Sequence, residues 1–225
     1  MSPGKILKGA LIVLGLALFA TGVRAMTTDD DMLIAAAGRG DERSVGELLA
    51  KGADVHARDD AQRTALLAAT QGNHVGVARR LIEAGADVNA QDKQRDSAYL
   101  LAGARGYIEI LRLTLAHGAD LASTNRYGGT ALIPACERGH VETVRELLRT
   151  HIDVNHVNRL GWTALMEAVV LSDGGAPHQE IVRLLLTDGR ADPNIPDKDG
   201  VTPLQHARRR GFAEIASLLE AAGGR

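Results

Sequence analysis

Eight histidines, one cysteine and 28 carboxylates are the side chains of this 225-residue sequence that could do chemistry. A transition-metal site would need three or four of them to converge in one small shell. His151 and His156 lie five apart on a turn, while His74, His140 and His178 each precede a similar apolar stretch far along the chain from one another. Regular wide spacing spreads ligands out, so neither a metal nor another cofactor is expected. Cys136 has no partner for an intrachain disulfide. A reactive thiol needs exposure and a nearby cation; Arg138 is close in sequence, but a small buried hydrophobe explains Cys136 better. The carboxylates recur at turns, as at Asp59, Asp92 and Asp197, and no nucleophile, base and orienting group can be assembled from neighbouring positions. No catalytic residue is expected, and the chain reads as a non-enzyme.

The elements that position these groups repeat. Asp31, Thr64, Ser97, Thr130 and Thr163 open successive units 33 residues apart, and Thr202 opens the next after 39. A fixed period of this length marks a stacked array. In the unit from Thr130 the threonine is expected to cap a short first helix with Leu132, Ala135 and Cys136 on one face. Gly139 closes that helix, as Gly40, Asn73, Gly106 and Gly211 do elsewhere, because glycine and asparagine tolerate the left-handed backbone. Val141, Val144, Leu147 and Leu148 then form the buried stripe of a second helix. Helices shorter than about 12 residues are marginal alone. Stacking must hold them, and Ala68, Ala69, Ala102 and Ala135 permit the close approach it requires.

The stretches "TPLQHA" at 202–207, "GHVETVRELL" at 139–148, "GADVN" at 85–89 and "RLGWTALMEA" at 159–168 resemble the ankyrin repeat. The resemblance runs from Asp31 to about Gly223 and implies an all-α solenoid of helix-turn-helix units with short β-hairpin-like tips. The expected organisation is an N-terminal linker at 26–30, repeats at 31–63, 64–96, 97–129, 130–162 and 163–201, the last with an insertion, and a C-terminal capping repeat at 202–225. Several positions depart from the family pattern. Leu67, Leu100, Ile133, Met166 and Gln205 replace the histidine that ties neighbouring units, so stacking should lean on apolar contact. Gln62 and Arg95 stand where the tip glycine belongs, which predicts reshaped first and second tips. His151 replaces a helix-closing glycine, at a cost of up to about 1 kcal/mol if it turns left-handed. Pro134 should remove one early bond and weaken the fourth unit. The insertion falls mainly in "LSDGGAPHQ" with one residue at Arg190, and its glycines and proline favour a protruding loop over a longer helix.

Residues 1–25 carry Lys5 and Lys8, an apolar stretch from Gly9 to Ala20, and Val23 and Ala25 at the −3 and −1 positions of a cleavage site. The segment reads as a signal peptide for a periplasmic or secreted chain. The alternative is an uncleaved anchor, which would make the protein a membrane-tethered scaffold; the stretch between Lys8 and Arg24 is shorter than the ~20 residues of a spanning helix. Removing 1–25 takes away three cations and no acid, moving the net charge from −2 to −5. Nothing in that balance suggests a nucleic-acid partner.

The resemblance implies protein binding through a concave groove of tips and first helices, by a chain expected to be monomeric. Matching the family's contact positions gives Arg63, Lys93, Asp96, Arg105, Arg126, Tyr127, Arg138, Arg159, Leu160, Trp162 and Lys198 as partner-binding residues. Arginine, tyrosine and tryptophan dominate binding hot spots. Trp162 has two readings, a contact residue or a ring packed back onto the preceding tip. The expected role is binding an unidentified protein, as a toxin-immunity or envelope-stress factor associated with an enzyme such as a catalase.

Overall fold

A hydroxyl set before an apolar run accepts from the amides a helix start leaves unpaired, and this chain repeats the device. The computed structural model describes residues 26–187 and 190–225; the expected signal segment lies outside them. Six helix pairs follow one another among the described residues: α1 (Thr28–Arg39) with α2 (Glu42–Ala50), α3 (Ala65–Gln71) with α4 (Val75–Glu83), α5 (Ala98–Arg105) with α6 (Ile108–Ala116), α7 (Leu132–Glu137) with α8 (Val141–Leu148), α9 (Ala164–Val170) with α10 (Ala176–Thr187), and α11 (Pro203–Arg209) with α12 (Ala213–Ala221). Thr64, Ser97, Thr163 and Thr202 accept from the amides of Leu67, Leu100, Met166 and Gln205 at 3.1–3.3 Å.

Thr130 breaks the series, contrary to the expected cap. Helix α7 starts at Leu132, and the Thr130 hydroxyl is buried without a partner. Pro134 is the cause. In the flanking units the amide four residues past the cap donates to the cap carbonyl, Leu101 to Ser97 and Glu167 to Thr163, and proline has no hydrogen to give. At the N-terminus the first helix begins earlier than the repeat register predicts. Thr27 and Asp30 form a reciprocal capping box, so Thr28, Asp29 and Asp30 are helix rather than linker.

Each first helix packs on the next first helix and each second helix on the next second helix. Leu66, Leu81, Ile110, Leu132, Leu147, Leu165 and Ile181 are buried between them. A Cβ on Gly103 would lie 2.7 Å from that of Ala131, which measures how closely α5 and the start of the fourth unit approach. Polar ties also join the units, so stacking is less purely apolar than the missing histidines suggest. Asn89 donates to the Gly118 carbonyl at 2.9 Å and accepts from the Asp120 amide at 2.8 Å; Asn155 does the same with Arg190 and Asp192. His178 Nε2 meets the Glu137 carbonyl at 3.0 Å.

Three further expectations meet a different outcome. His151 does not turn left-handed. Thr150 Oγ1 bonds the Leu147 carbonyl at 2.6 Å, and Arg190 donates to the carbonyls of Leu148 and Thr150 at 2.6 and 3.1 Å, so the inserted arginine closes the preceding unit's helix. The other insertion gives a short loop followed by a longer helix. Residues 171–175 are loop, but α10 starts at Ala176, because Pro177 falls in a first turn where its missing amide costs nothing. The first two tips, finally, are not reshaped. Gln62 and Arg95 take φ of 63° and 62°, beside 74°, 89° and 77° for Gly128, Gly161 and Gly200.

Candidate functional site

Five tips share one construction, built on a single side chain each. Asp59, Asp92, Asn125, Asn158 and Asp197 each accept through Oδ1 from the amides two and four residues on, at 2.8–3.1 Å. The same residue's amide bonds the carbonyl four residues on, closing the tip. Tips also pair with each other: Lys93 donates to the Ala61 carbonyl at 3.1 Å and Arg159 to that of Tyr127 at 3.0 Å. These pairing bonds use backbone groups on both sides.

Between the third, fourth and fifth units the tips and first helices enclose a groove of about 510 Å³. Its rim carries Tyr127, Leu160 and Leu171, 53%, 49% and 47% exposed. Large apolar side chains left this exposed side by side mark an interaction surface more than a core. The Arg126 guanidinium lies 4.8 Å from the centre of the Tyr127 ring and also bonds Gln94. Arg105 and Arg138 line the same wall around Asp96. Burial and the like charge of Asp92 push the Asp96 carboxyl above its ordinary range, and Arg126, Arg105 and Arg138 pull it back.

On the groove floor the first-helix position that faces it is Leu101 in α5, Pro134 in α7 and Glu167 in α9. Glu167 is 5% exposed. Burial, then the like charge of Glu137, pushes its carboxyl up to about 7. Asn158 Nδ2 donates to Glu167 Oε1 at 2.8 Å. A second hollow of about 530 Å³, between the first two units, is lined by Asp31, Ile34, Ala35, Arg63, Ala68 and Gln71 among others.

The profile described as ankyrin repeats in three copies matches residues 13–92, 32–125 and 99–197. The chain belongs to the ankyrin-repeat family. An ankyrin repeat domain from Acinetobacter baumannii AYE is similar, with a TM-score of 0.84 and 58% identity over 86% of this chain and 98% of that one. The ankyrin repeat protein EF0377 is similar at 0.82 and 41% identity, over 86% and 98%. The putative ankyrin repeat protein YahD of Escherichia coli K12 is 60% identical over 58 residues, 26% of this chain and 28% of that protein. The chain thus matches under a third of the length of YahD. As an ankyrin array it is a protein–protein interaction module, of a family whose members are typically non-catalytic.

The array brings together six of the eleven residues matched from sequence: Asp96, Arg105, Arg126, Tyr127, Arg138 and Leu160 line the one groove. Arg63 belongs to the other hollow, salt-bridged to Asp59 at 2.7 Å. Lys93, Arg159, Trp162 and Lys198 line neither. Trp162 is half-buried, Arg159 donates to the Arg126 carbonyl at 2.8 Å, and Lys198 to the Arg159 carbonyl at 2.5 Å, so the two cations brace tips. Ile133, Leu171 and Glu167 were missed. Glu167 had a signal: a charged residue on a first-helix row held by Ala35, Ala68, Leu101 and Pro134 in the four preceding units. Cys136 is fully buried, and burial, with Glu167 nearby, pushes its thiol well above the ordinary range. Among the described residues no three histidine, cysteine, aspartate or glutamate side chains gather where they could hold a metal, and no helix is long and apolar enough to cross a membrane.

Proposed function

We propose that this chain is an exported, non-enzymatic binding protein that holds another protein in the groove between its third and fifth units. The observation that supports this reading most is the cluster of Tyr127, Leu160 and Leu171, apolar and about half exposed, on a wall of three arginines. The tips are fixed by backbone bonds before any partner arrives, so little ordering entropy is lost on association. The pattern of residues 1–25 supports export to the periplasm or beyond, as an immunity or envelope-stress factor.

Affinity recovery after crosslinking in the native envelope tests the groove. A Tyr127→Ala, Leu160→Ala variant is expected to lose the recovered partner, since a hot-spot residue contributes at least about 2 kcal/mol. Equal recovery by the variant and the wild type refutes the assignment. The mass of the native chain tests export: a start at Met26 agrees with cleavage, and an intact Met1 favours the tethered scaffold.

A further inference from the structure

We propose that Glu167 is the specificity anchor of the groove, a buried carboxylate that receives a lysine or arginine side chain from the protein segment bound there. This rests on the groove-binding reading above. Along the register of the array, the first-helix position facing the partner side is Ala35, Ala68, Leu101, Pro134, Glu167 and His206 in turn. Four apolar residues precede one acid. Glu167 is buried, yet it receives one hydrogen bond, from Asn158.

Asn158 cannot turn to do more. Its Oδ1 is held by the amides of Leu160 and Trp162 at 2.9 and 3.1 Å, which leaves its amino group fixed on Glu167 Oε1. A carboxylate can accept about four hydrogen bonds. The charges facing Glu167 come from the C-terminal end of α7 and the residue that follows it, where Glu137 repels it and Arg138 attracts it. Arg138 is already engaged, its Nη1 donating to the Ala104 carbonyl at 2.6 Å. In the next unit His206 is spent on Asp197 at 2.7 Å. Among the described residues no guanidinium or ammonium group forms an ion pair with Glu167.

The groove carries both signs of charge. Arg105, Arg126 and Arg138 gather around Asp96, Arg138 also attracting Glu167; toward the fifth unit Glu137 and Glu167 lie with Leu160 and Leu171, and among the described residues no cation there pairs with Glu167. Charge complementarity selects a segment with a basic side chain next to apolar ones, since a desolvated charge is matched only by an opposite charge. A cation at Glu167 favours its ionised form, so binding releases a proton and weakens as the medium becomes acidic.

Random short peptides displayed on phage and selected on the purified chain at about pH 8, where Glu167 is mostly ionised, are the probe. The selected peptides are expected to share a lysine or arginine beside apolar residues, and to bind the Glu167→Gln variant at least about ten-fold more weakly. Methionine in place of the peptide's own basic residue should give the same loss, with no change to the array. Peptides without a shared basic position, binding to Glu167→Gln within about two-fold of wild type, or no selected binder overturn the proposal. Peptides that ignore Glu167→Gln but are lost by Tyr127→Ala, Leu160→Ala overturn the anchor and leave the groove standing; indifference to both sets of changes overturns the groove as well.

Discussion

Burying a carboxyl group with a single amide donor leaves most of its lost hydration uncompensated. Glu167 is such a group, pushed from its ordinary 4.5 up to about 7. An acid whose pKa is higher folded than unfolded binds its proton more tightly in the folded state. Its contribution to stability is therefore present below pH ~4.5 and is lost as pH rises to about 7, a difference of about 3 kcal/mol. Glu167→Gln keeps an oxygen for Asn158 and carries no charge. Denaturant melts should show this variant about 2–3 kcal/mol more stable than wild type at pH 8 and within ~0.5 kcal/mol of it at pH 4. A difference between the variant and wild type that does not grow from pH 4 to pH 8 would mean that Glu167 is well solvated. The residue was visible in the sequence as a break in an apolar row, but a charge on a repeat position does not disclose its own burial. That depends on how near Asn158 and Pro134 come, which only the packed array fixes.

At the scale of the element, much was legible because the determinants are local. Four of the five hydroxyls that open the later units cap a helix, and these caps, like the left-handed helix ends at Gly40, Asn73, Gly106, Gly139 and Gly211, follow from a few adjacent residues. What failed depended on partners distant in sequence. Gln62 and Arg95 hold the tip conformation because Asp59 and Asp92 bind two amides each and the neighbouring tip adds a bond. That conformation is strained for a residue with a Cβ, by about 1–2 kcal/mol. Arg95→Gly should consequently raise stability by up to about 1 kcal/mol once the added chain entropy of glycine is subtracted, read from the urea midpoint. Gly103→Ala should do the reverse. Its methyl would meet Ala131 Cβ at 2.7 Å and the Ala131 carbonyl oxygen at 3.2 Å, with backbone on both sides. A loss of about 1–3 kcal/mol is expected by the same measurement, and a neutral change would show that α5 and the fourth unit can part.

Across the described residues, the helices of each unit pack mainly on those of the neighbouring units, so the groove exists because three consecutive units stack in register. The family match and the solved relatives agree with that architecture, and the 33-residue period already pointed to it. The groove itself was only partly legible. Matching positions by family register named Tyr127, Leu160 and the three wall arginines, which line one groove, but it also gathered Arg159 and Lys198, whose side chains are used to brace adjoining tips. Register says which side of the array a residue faces. It does not say whether another unit has already taken its hydrogen bonds. Site-specific photocrosslinking in the native envelope tests the central claim that the partner lies against the tips and first helices. A photoreactive residue at Leu160, in the groove, should yield a discrete adduct, and one at Arg79, on the exposed side of α4, should not. An adduct from Arg79 with none from Leu160 would contradict it.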